Sequence, residues 1–257
     1  MIAFLTSSPC VVGAPRAILN PENGFLDNLR SCLPAHPRAL FICSDRNSHG
    51  FTDSFSRDFD AAFREAELAF TDYATLDGRN PEKAQQLIWR SDLIILMGGH
   101  VPTQNQFFRE IRLDRLIANF QGVVLGISAG SMNAAERVYA QPEVSGESAP
   151  SFCRFLPGLG LTKLNILPHY QQAKDYTLDG LRLYEDVTFA DSMGECFYSL
   201  VDGTYLLIED GMTLLYGEAY RLQDGVMERL SEKDDIVLFE SASEKGEFHE
   251  HYNLAGE

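Results

Sequence analysis

Four short runs of this chain are almost wholly apolar: Ile2–Leu5, Ala39–Cys43, Leu93–Met97 and Val123–Ile127. None alternates between polar and apolar positions. A strand with one wet face alternates. A strand covered on both faces does not, because helices pack against each side of it. Between the runs lie stretches with helical spacing. Asp58–Phe70 puts Phe59, Ala62, Phe63, Ala66 and Phe70 on one stripe, and Gln104–Asn119 does the same with Phe107, Phe108, Ile111, Leu113 and Leu116. Asn80–Trp89 opens with Asn-Pro-Glu, where Asn80 suits an N-cap and Pro81 the first helical position. Strand and helix in alternation predict an α/β fold: a doubly wound, mostly parallel sheet flanked by helices.

The pattern changes after about residue 196. Apolar runs at Phe197–Leu200, Tyr205–Ile208, Thr213–Tyr216 and Val226–Leu230 are punctuated by Asp202-Gly203, Asp210-Gly211 and Asp224-Gly225. Asp-Gly between apolar runs signals a hairpin, since a type I′ turn needs positive φ at both central residues. These runs are expected as antiparallel hairpin strands at the far edge of the same sheet. No linker or repeat interrupts the 257 residues. One domain over 1–257 is expected, with 240–257 as an acidic tail that carries Glu247, His249, Glu250 and His251.

The net charge of −16 argues against nucleic acid or anionic lipid as a partner, since both reward clustered Lys and Arg. No apolar run approaches the roughly 18 residues of a membrane helix. The five cysteines are odd in number, widely spaced and free of any C-x-x-C pair. That fits reduced thiols, a cytoplasmic setting and no zinc site. No metal or cofactor is expected, and the protein is expected to be a monomer or homodimer.

Val123–Ile127 runs directly into Gly126-Ile127-Ser128-Ala129-Gly130 and then a helix-like stretch. A G-x-S-x-G turn between strand and helix is the setting of a nucleophile elbow. The glycines relieve crowding at the reversal, and the Ala129 amide can face a developing oxyanion. The same small residues also serve a purely structural turn. Leu96-Met97-Gly98-Gly99-His100 follows another buried strand, and Gly99 is a candidate second oxyanion donor. His100 and Gln104, just beyond, are candidates to line a substrate pocket; His100 equally suits a helix cap. A serine hydroxyl needs a base. His169, held at a strand end by Pro168, is the best candidate. Asp202 can orient its imidazole, although Asp202-Gly203 also reads as a simple hairpin turn.

With these segments in place, the chain resembles the peptidase E and cyanophycinase family of serine peptidases. That family carries a G-x-S-A-G elbow, matched by Gly126–Gly130, and a Gly-Gly loop after the preceding strand, matched by Gly98-Gly99. It has a downstream Pro-His pair, matched by Pro168-His169, and a later acid followed by Gly, matched by Asp202-Gly203. The order serine, histidine, acid differs from ordinary α/β-hydrolases, where the acid precedes the histidine.

The resemblance covers roughly residues 90 to 215. It implies a fold like that of class I glutamine amidotransferases, whose elbow carries cysteine; Ser128 there argues against hydrolysis through a thioester. It also implies an exo-acting dipeptidase working through Ser128, His169 and Asp202, with Gly99 and Ala129 as the oxyanion hole and small peptides as substrates. An amidase or esterase on small non-peptide substrates, or a binding protein without catalysis, remain the alternatives. Three features depart from the family. The oxyanion loop has Gly-Gly-His-Val-Pro-Thr-Gln where the family commonly has Gly-Gly-Asn-Thr, and the acid is Asp where peptidase E is expected to use Glu. Peptidase E is also expected to hold the aspartyl side chain of Asp-X substrates with an Arg after the histidine. The nearest here is Arg182, at a spacing close to but not identical with that pattern, where a surface helix residue fits equally well. Glu143, beyond the elbow helix, is a candidate contact for a substrate amine.

Overall fold

The computed structural model describes residues 1–239; the acidic tail expected over 240–257 lies outside them. The first half of the chain lays down five parallel strands: Ile2–Thr6 (β1), Arg38–Ile42 (β2), Asp72–Leu76 (β3), Leu93–Leu96 (β4) and Val123–Ile127 (β5). The helices beside them are Phe25–Ser31 (α1), His49–Glu65 (α2), Ala84–Arg90 (α3), Val101–Glu110 (α4), Leu113–Ile117 (α5) and Ala129–Met132 (α6). Next come a small antiparallel ribbon, Arg137–Tyr139 (β6) with Phe155–Pro157 (β7), then Asn165–Leu167 (β8), the one-turn helix Tyr170–Ala173 (α7) and the two-residue pair Thr177–Leu178 (β9) and Leu181–Arg182 (β10). Cys196–Leu200 (β11), Tyr205–Glu209 (β12), Met212–Tyr216 (β13), Ala219–Gln223 (β14), Val226–Ser231 (β15) and Ile236–Phe239 (β16) complete the described chain.

The main sheet has eight strands in the order β16-β13-β12-β1-β5-β4-β2-β3. Its parallel part shows why the apolar runs lack alternation. Ala3, Leu5, Leu40, Ile42, Ile94, Leu96 and Val124 face one core cluster, which α3, α4 and α5 cover with Ile88, Phe107, Phe108 and Leu113. Phe4, Phe41, Leu93, Ile95, Val123 and Leu125 face the opposite cluster, beneath Phe25 and Leu29 of α1 and Phe59 and Phe63 of α2. Both faces are buried, so both parities must be apolar.

The C-terminal strands divide between two sheets, which corrects the expectation of one. β12, β13 and β16 extend the main sheet in antiparallel fashion, whereas β15, β14, β11 and β8 form a second, four-stranded sheet. Asp210-Gly211 and Asp224-Gly225 are hairpin turns with positive φ at both residues. Asp202-Gly203 is not: only Gly203 has positive φ, and the chain there passes from β11 in one sheet to β12 in the other. Asp202 is thereby released from turn duty. The second sheet packs Ile166, Leu200 and Ala219 into the same core cluster as Val124 and Leu206, and turns Leu167, Phe197 and Leu222 toward α6 and β6.

Two helix boundaries also differ from the periodicity. α2 starts at His49 and ends at Glu65. Glu67 takes a left-handed φ of 58°, the chain folds back, and Phe70 meets Phe63 edge-on at 5.1 Å from outside the helix. The stretch 104–119 holds two helices, because Arg112 adopts φ 54° and breaks the run between Glu110 and Leu113. Asn80 does precede a short 3₁₀ turn at Pro81, but its side chain accepts the Asp77 amide and donates to the Thr75 carbonyl rather than capping a helix. Among the described residues, no helix is long and apolar enough to cross a membrane.

The two elbow glycines are fixed by close packing. A Cβ on Gly126 would lie 2.9 Å from the Ser131 backbone, and one on Gly130 only 2.3 Å from the Leu96 carbonyl oxygen of β4. Neither neighbour is a flexible side-chain tip. Gly130→Ala is expected to lower unfolding free energy by about 2 kcal/mol, as overpacking of a tight core does. That corresponds to a fall of about 4–8 °C in Tm for a chain of this size, and an unchanged melting curve would contradict the packing described.

Candidate active site

Parallel strands deliver their carboxyl ends to one edge of a sheet, and an α/β protein places its ligand crevice there. Here β1, β5 and β4 end together at Ser7, Ser128 and Gly98-Gly99. β8 and β11 are parallel neighbours in the second sheet, with Asn165 opposite Phe197 and Leu167 opposite Ser199. Two residues beyond each strand end stand His169 and Asp202. The topology therefore brings three side chains together from positions 128, 169 and 202.

Ser128 carries φ 50° and ψ −111°, a combination that L-residues with a Cβ rarely adopt. The strain lifts its side chain clear of β5. His169 is also left-handed, at φ 58° and ψ 34°. His169 Nε2 lies 2.9 Å from Ser128 Oγ, and His169 Nδ1 lies 2.7 Å from Asp202 Oδ1. Burial opposes ionisation of Asp202, but hydrogen bonds from His169, Ser7 and Gln171 outweigh it and hold the carboxyl below the usual range. Asp202 is therefore an acceptor. It accepts a hydrogen bond from the Nδ1–H of His169, which leaves Nε2 free to accept from the serine hydroxyl.

Three residues around Asp202 carry no sequence signal of their own. Ser7 Oγ donates to Asp202 Oδ1 at 2.7 Å and accepts the His169 backbone amide at 2.7 Å. Gln171 Nε2 donates to Asp202 Oδ2 at 2.5 Å, while its Oε1 accepts the Asp202 amide at 3.2 Å. Gln172 reaches the same Oδ2 at 3.4 Å. Their one available hint is position: Ser7 follows the first buried strand, and the glutamines follow the strand-end histidine.

The amides of Gly99 and Ala129 have no acceptor among the described residues. Gly98 lies against the Ser128 side chain, where an added Cβ would sit 3.3 Å from Ser128 Cβ. Gln104 is fully buried; its amide donates to the Met97 carbonyl at 2.5 Å and its Oε1 accepts from Asn133 at 3.0 Å. It braces the loop between β4 and α4 and does not face the cleft. His100 donates from Nε2 to Glu147 Oε1 at 2.8 Å and accepts the Thr103 hydroxyl at Nδ1, 2.7 Å away. Glu147 Oε2 in turn accepts the amides of Glu143 and Val144 at 2.9 and 3.2 Å. His100 and Glu147 thus hold the loop that carries Glu143. Arg182 lies elsewhere. It sits on β10, largely exposed, with its guanidinium engaged by Asp186 at 2.6 Å.

A cleft of about 320 Å3 opens beside Ser128 and His169, with Glu143 on one wall. Although Glu143 as a whole is exposed, its carboxyl group is crowded by the cleft. Loss of solvation pushes its pKa up to about 7, against the pull of His100, the Val101 amide and His169. Among the described residues no cluster of three or more His, Cys, Asp or Glu side chains is arranged to hold a metal ion.

Residues 20–216 match the family model described as peptidase family S51. The fold is similar to the crystal structure of a protein from Listeria monocytogenes EGD-e that bears the provisional name peptidase E protein. The TM-score is 0.52 at 16% identity, over 90% of this chain and 98% of that one. At that identity the likeness is one of fold. No curated protein matches the sequence at a significant level.

The Glu143 shift has a measurable consequence. Between its ordinary value of 4.5 and about 7, the folded protein holds this proton more tightly than the unfolded chain does. The stability it contributes is complete below 4.5 and is lost as pH rises through about 7. Glu143→Gln should therefore melt with the parent near the lower limit and above the parent at about pH 8. Coincident melting temperatures at the higher pH would show that the carboxyl is fully solvated.

Proposed function

The chain belongs to peptidase family S51, and from that premise we propose that it is an exo-acting serine peptidase on small peptides, with Ser128 as nucleophile, His169 as base and Asp202 as the acid that orients His169. As a family member it is a serine peptidase-type hydrolase. The observation that carries the finer reading is the unbroken hydrogen-bonded line from Asp202 through His169 to Ser128, at 2.7 and 2.9 Å.

In this reading Ser128 Oγ attacks a peptide carbonyl while His169 Nε2 takes its proton. Asp202, already ionised, stabilises the imidazolium that forms. The tetrahedral oxyanion is met by the amides of Gly99 and Ala129, which have no competing acceptor among the described residues. Each such donor contributes about 10²–10³ in turnover. His169 then returns the proton to the leaving amine as the C–N bond breaks, leaving an acyl-enzyme. Water, deprotonated by His169, attacks the ester, and the Ser128 hydroxyl is regenerated with release of the acid product. The cleft of about 320 Å3 lies at the small end of ligand pockets, about 300–1,000 Å3, which suits a short peptide. Gly99, Ala129, Glu143 and His100 are the groups proposed to meet substrate or hold those that do.

Ser128→Ala and His169→Ala should each lower kcat by about 10⁴–10⁶ with little change in KM. Asp202→Asn should cost about 10⁴, because it favours the wrong imidazole tautomer. Steady-state kinetics on a dipeptide panel provides the measurement. A Ser128→Ala enzyme with parental kcat would remove the assignment.

A further inference from the structure

Among the described residues, no Lys or Arg lines the cleft beside Ser128. Its walls are mainly Met132, Pro142, Ala173, Tyr176 and Leu183, with Gln141 and Gln172 as neutral polar members and Glu143 as the acidic one. Met132 and Leu183 are nearly fully buried and present carbon to the cleft, whereas Tyr176 stands at the rim, 45% exposed. Arg182, the nearest arginine after the histidine, is largely exposed and bound to Asp186. The chain as a whole carries −16, so no diffuse positive field compensates.

A substrate carboxylate entering this cleft would leave water without gaining a cation and would lie beside Glu143. Burying an unpaired carboxylate is among the least favourable steps in protein recognition. An apolar side chain meets the opposite balance: it displaces water from carbon walls and asks for no partner. A hydrophobic pocket separates neighbours that differ by one methylene by about 10–200-fold, so the preference is large enough to measure.

Resting on the serine peptidase reading, we propose that the residue on the acyl side of the scissile bond is apolar, of leucine or methionine size, and that aspartyl and glutamyl residues are rejected. The specificity of this chain then differs in kind from an Asp-X dipeptidase. The residues that set it are Met132, Tyr176 and Leu183 through their carbon surface and Glu143 as an acidic group that offers a carboxylate no cation.

The test uses the whole protein and covalent probes, so it does not depend on finding a fast substrate. In an aminoalkyl diphenyl phosphonate, Ser128 Oγ forms a bond to phosphorus, one phenoxide leaves, and His169 passes it the serine proton to give phenol. A general fluorophosphonate is used first, with labelling at Ser128 read by mass spectrometry. Absence of label would defeat the serine peptidase reading, and the specificity proposal with it. With Ser128 labelled, the rates for phosphonates bearing leucine, methionine, aspartate, glutamate and lysine side chains are compared. The leucine or methionine probe should react about 10²-fold faster than the aspartate probe. An acidic or basic probe as fast as the apolar ones, or five equal rates, would overturn the proposal while leaving the nucleophile assignment intact. Tyr176→Arg, at an exposed rim position, should raise the aspartate-to-leucine rate ratio about tenfold or more by supplying the missing cation. An unchanged ratio would show that the side chain does not occupy this cleft.

Discussion

Asp202 sits at the seam between two sheets with its side chain 4% exposed, and a carboxylate there is tolerated only if every lone pair finds a donor. That demand organises the surroundings. Oδ1 takes His169 and Ser7; Oδ2 takes Gln171 and Gln172. Ser7 belongs to the end of β1, the glutamines and His169 to the segment after β8, and Asp202 to the end of β11. One buried charge therefore joins three strand ends from both sheets. Satisfying it also fixes the imidazole ring with Nε2 toward Ser128.

The strained elbow is the second half of the same arrangement. Ser128 holds φ 50° and ψ −111° because the chain must reverse between β5 and α6 with almost no room. Gly126 against Ser131 and Gly130 against Leu96 allow that approach. The cost of an unfavourable backbone conformation, about 1–3 kcal/mol, is carried by the packing of β5 between β1 and β4, where every side chain is buried. What the turn gains is a hydroxyl standing off the sheet edge, within reach of a ring that comes from the other sheet.

Much of this was readable from the chain alone, and the failures have identifiable physics. β1, β2, β4 and β5 were legible because burial on both faces forces uninterrupted apolar runs. The elbow was legible because a strand, a small-residue turn and a helix follow one another without a gap. The aromatic spacing displaces α2 toward the C-terminus because its first turns carry Phe51 and Phe55 on a half-exposed edge, while Phe70 joins the aromatic row from beyond a left-handed Glu67. From the sequence Gln104 suits a pocket wall because it follows the Gly-Gly loop; burial instead turns its amide inward to Met97 and Asn133. The Asp-Gly at 202 looked like its two hairpin counterparts. Local chemistry is the same in all three, and only the division of strands between sheets distinguishes them. Ser7, Gln171 and Gln172 carry no signal because a hydrogen-bond donor to a buried carboxylate is defined by tertiary placement, and Glu147 carries none because its partners, His100 and two loop amides, meet it only in the fold.

The two sheets share one apolar cluster, in which Ile166, Leu200 and Ala219 of the second meet Val124, Leu206 and Leu215 of the first. That packing is shared among many contacts of about 0.1–0.2 kcal/mol each, so no single one decides the alignment. The hydrogen bond between Ser128 on one sheet and His169 on the other rests on a single pair of atoms, and under the proposed mechanism a displacement of about 1 Å there costs about 10²-fold in rate. One joint thus carries both a packing contact spread over many atoms and a polar contact carried by one pair. Turnover then serves as a vernier on that joint. It registers misalignment of the sheets well before any loss of helix or strand, and substitutions deep in the shared cluster can silence the enzyme while leaving its circular dichroism untouched.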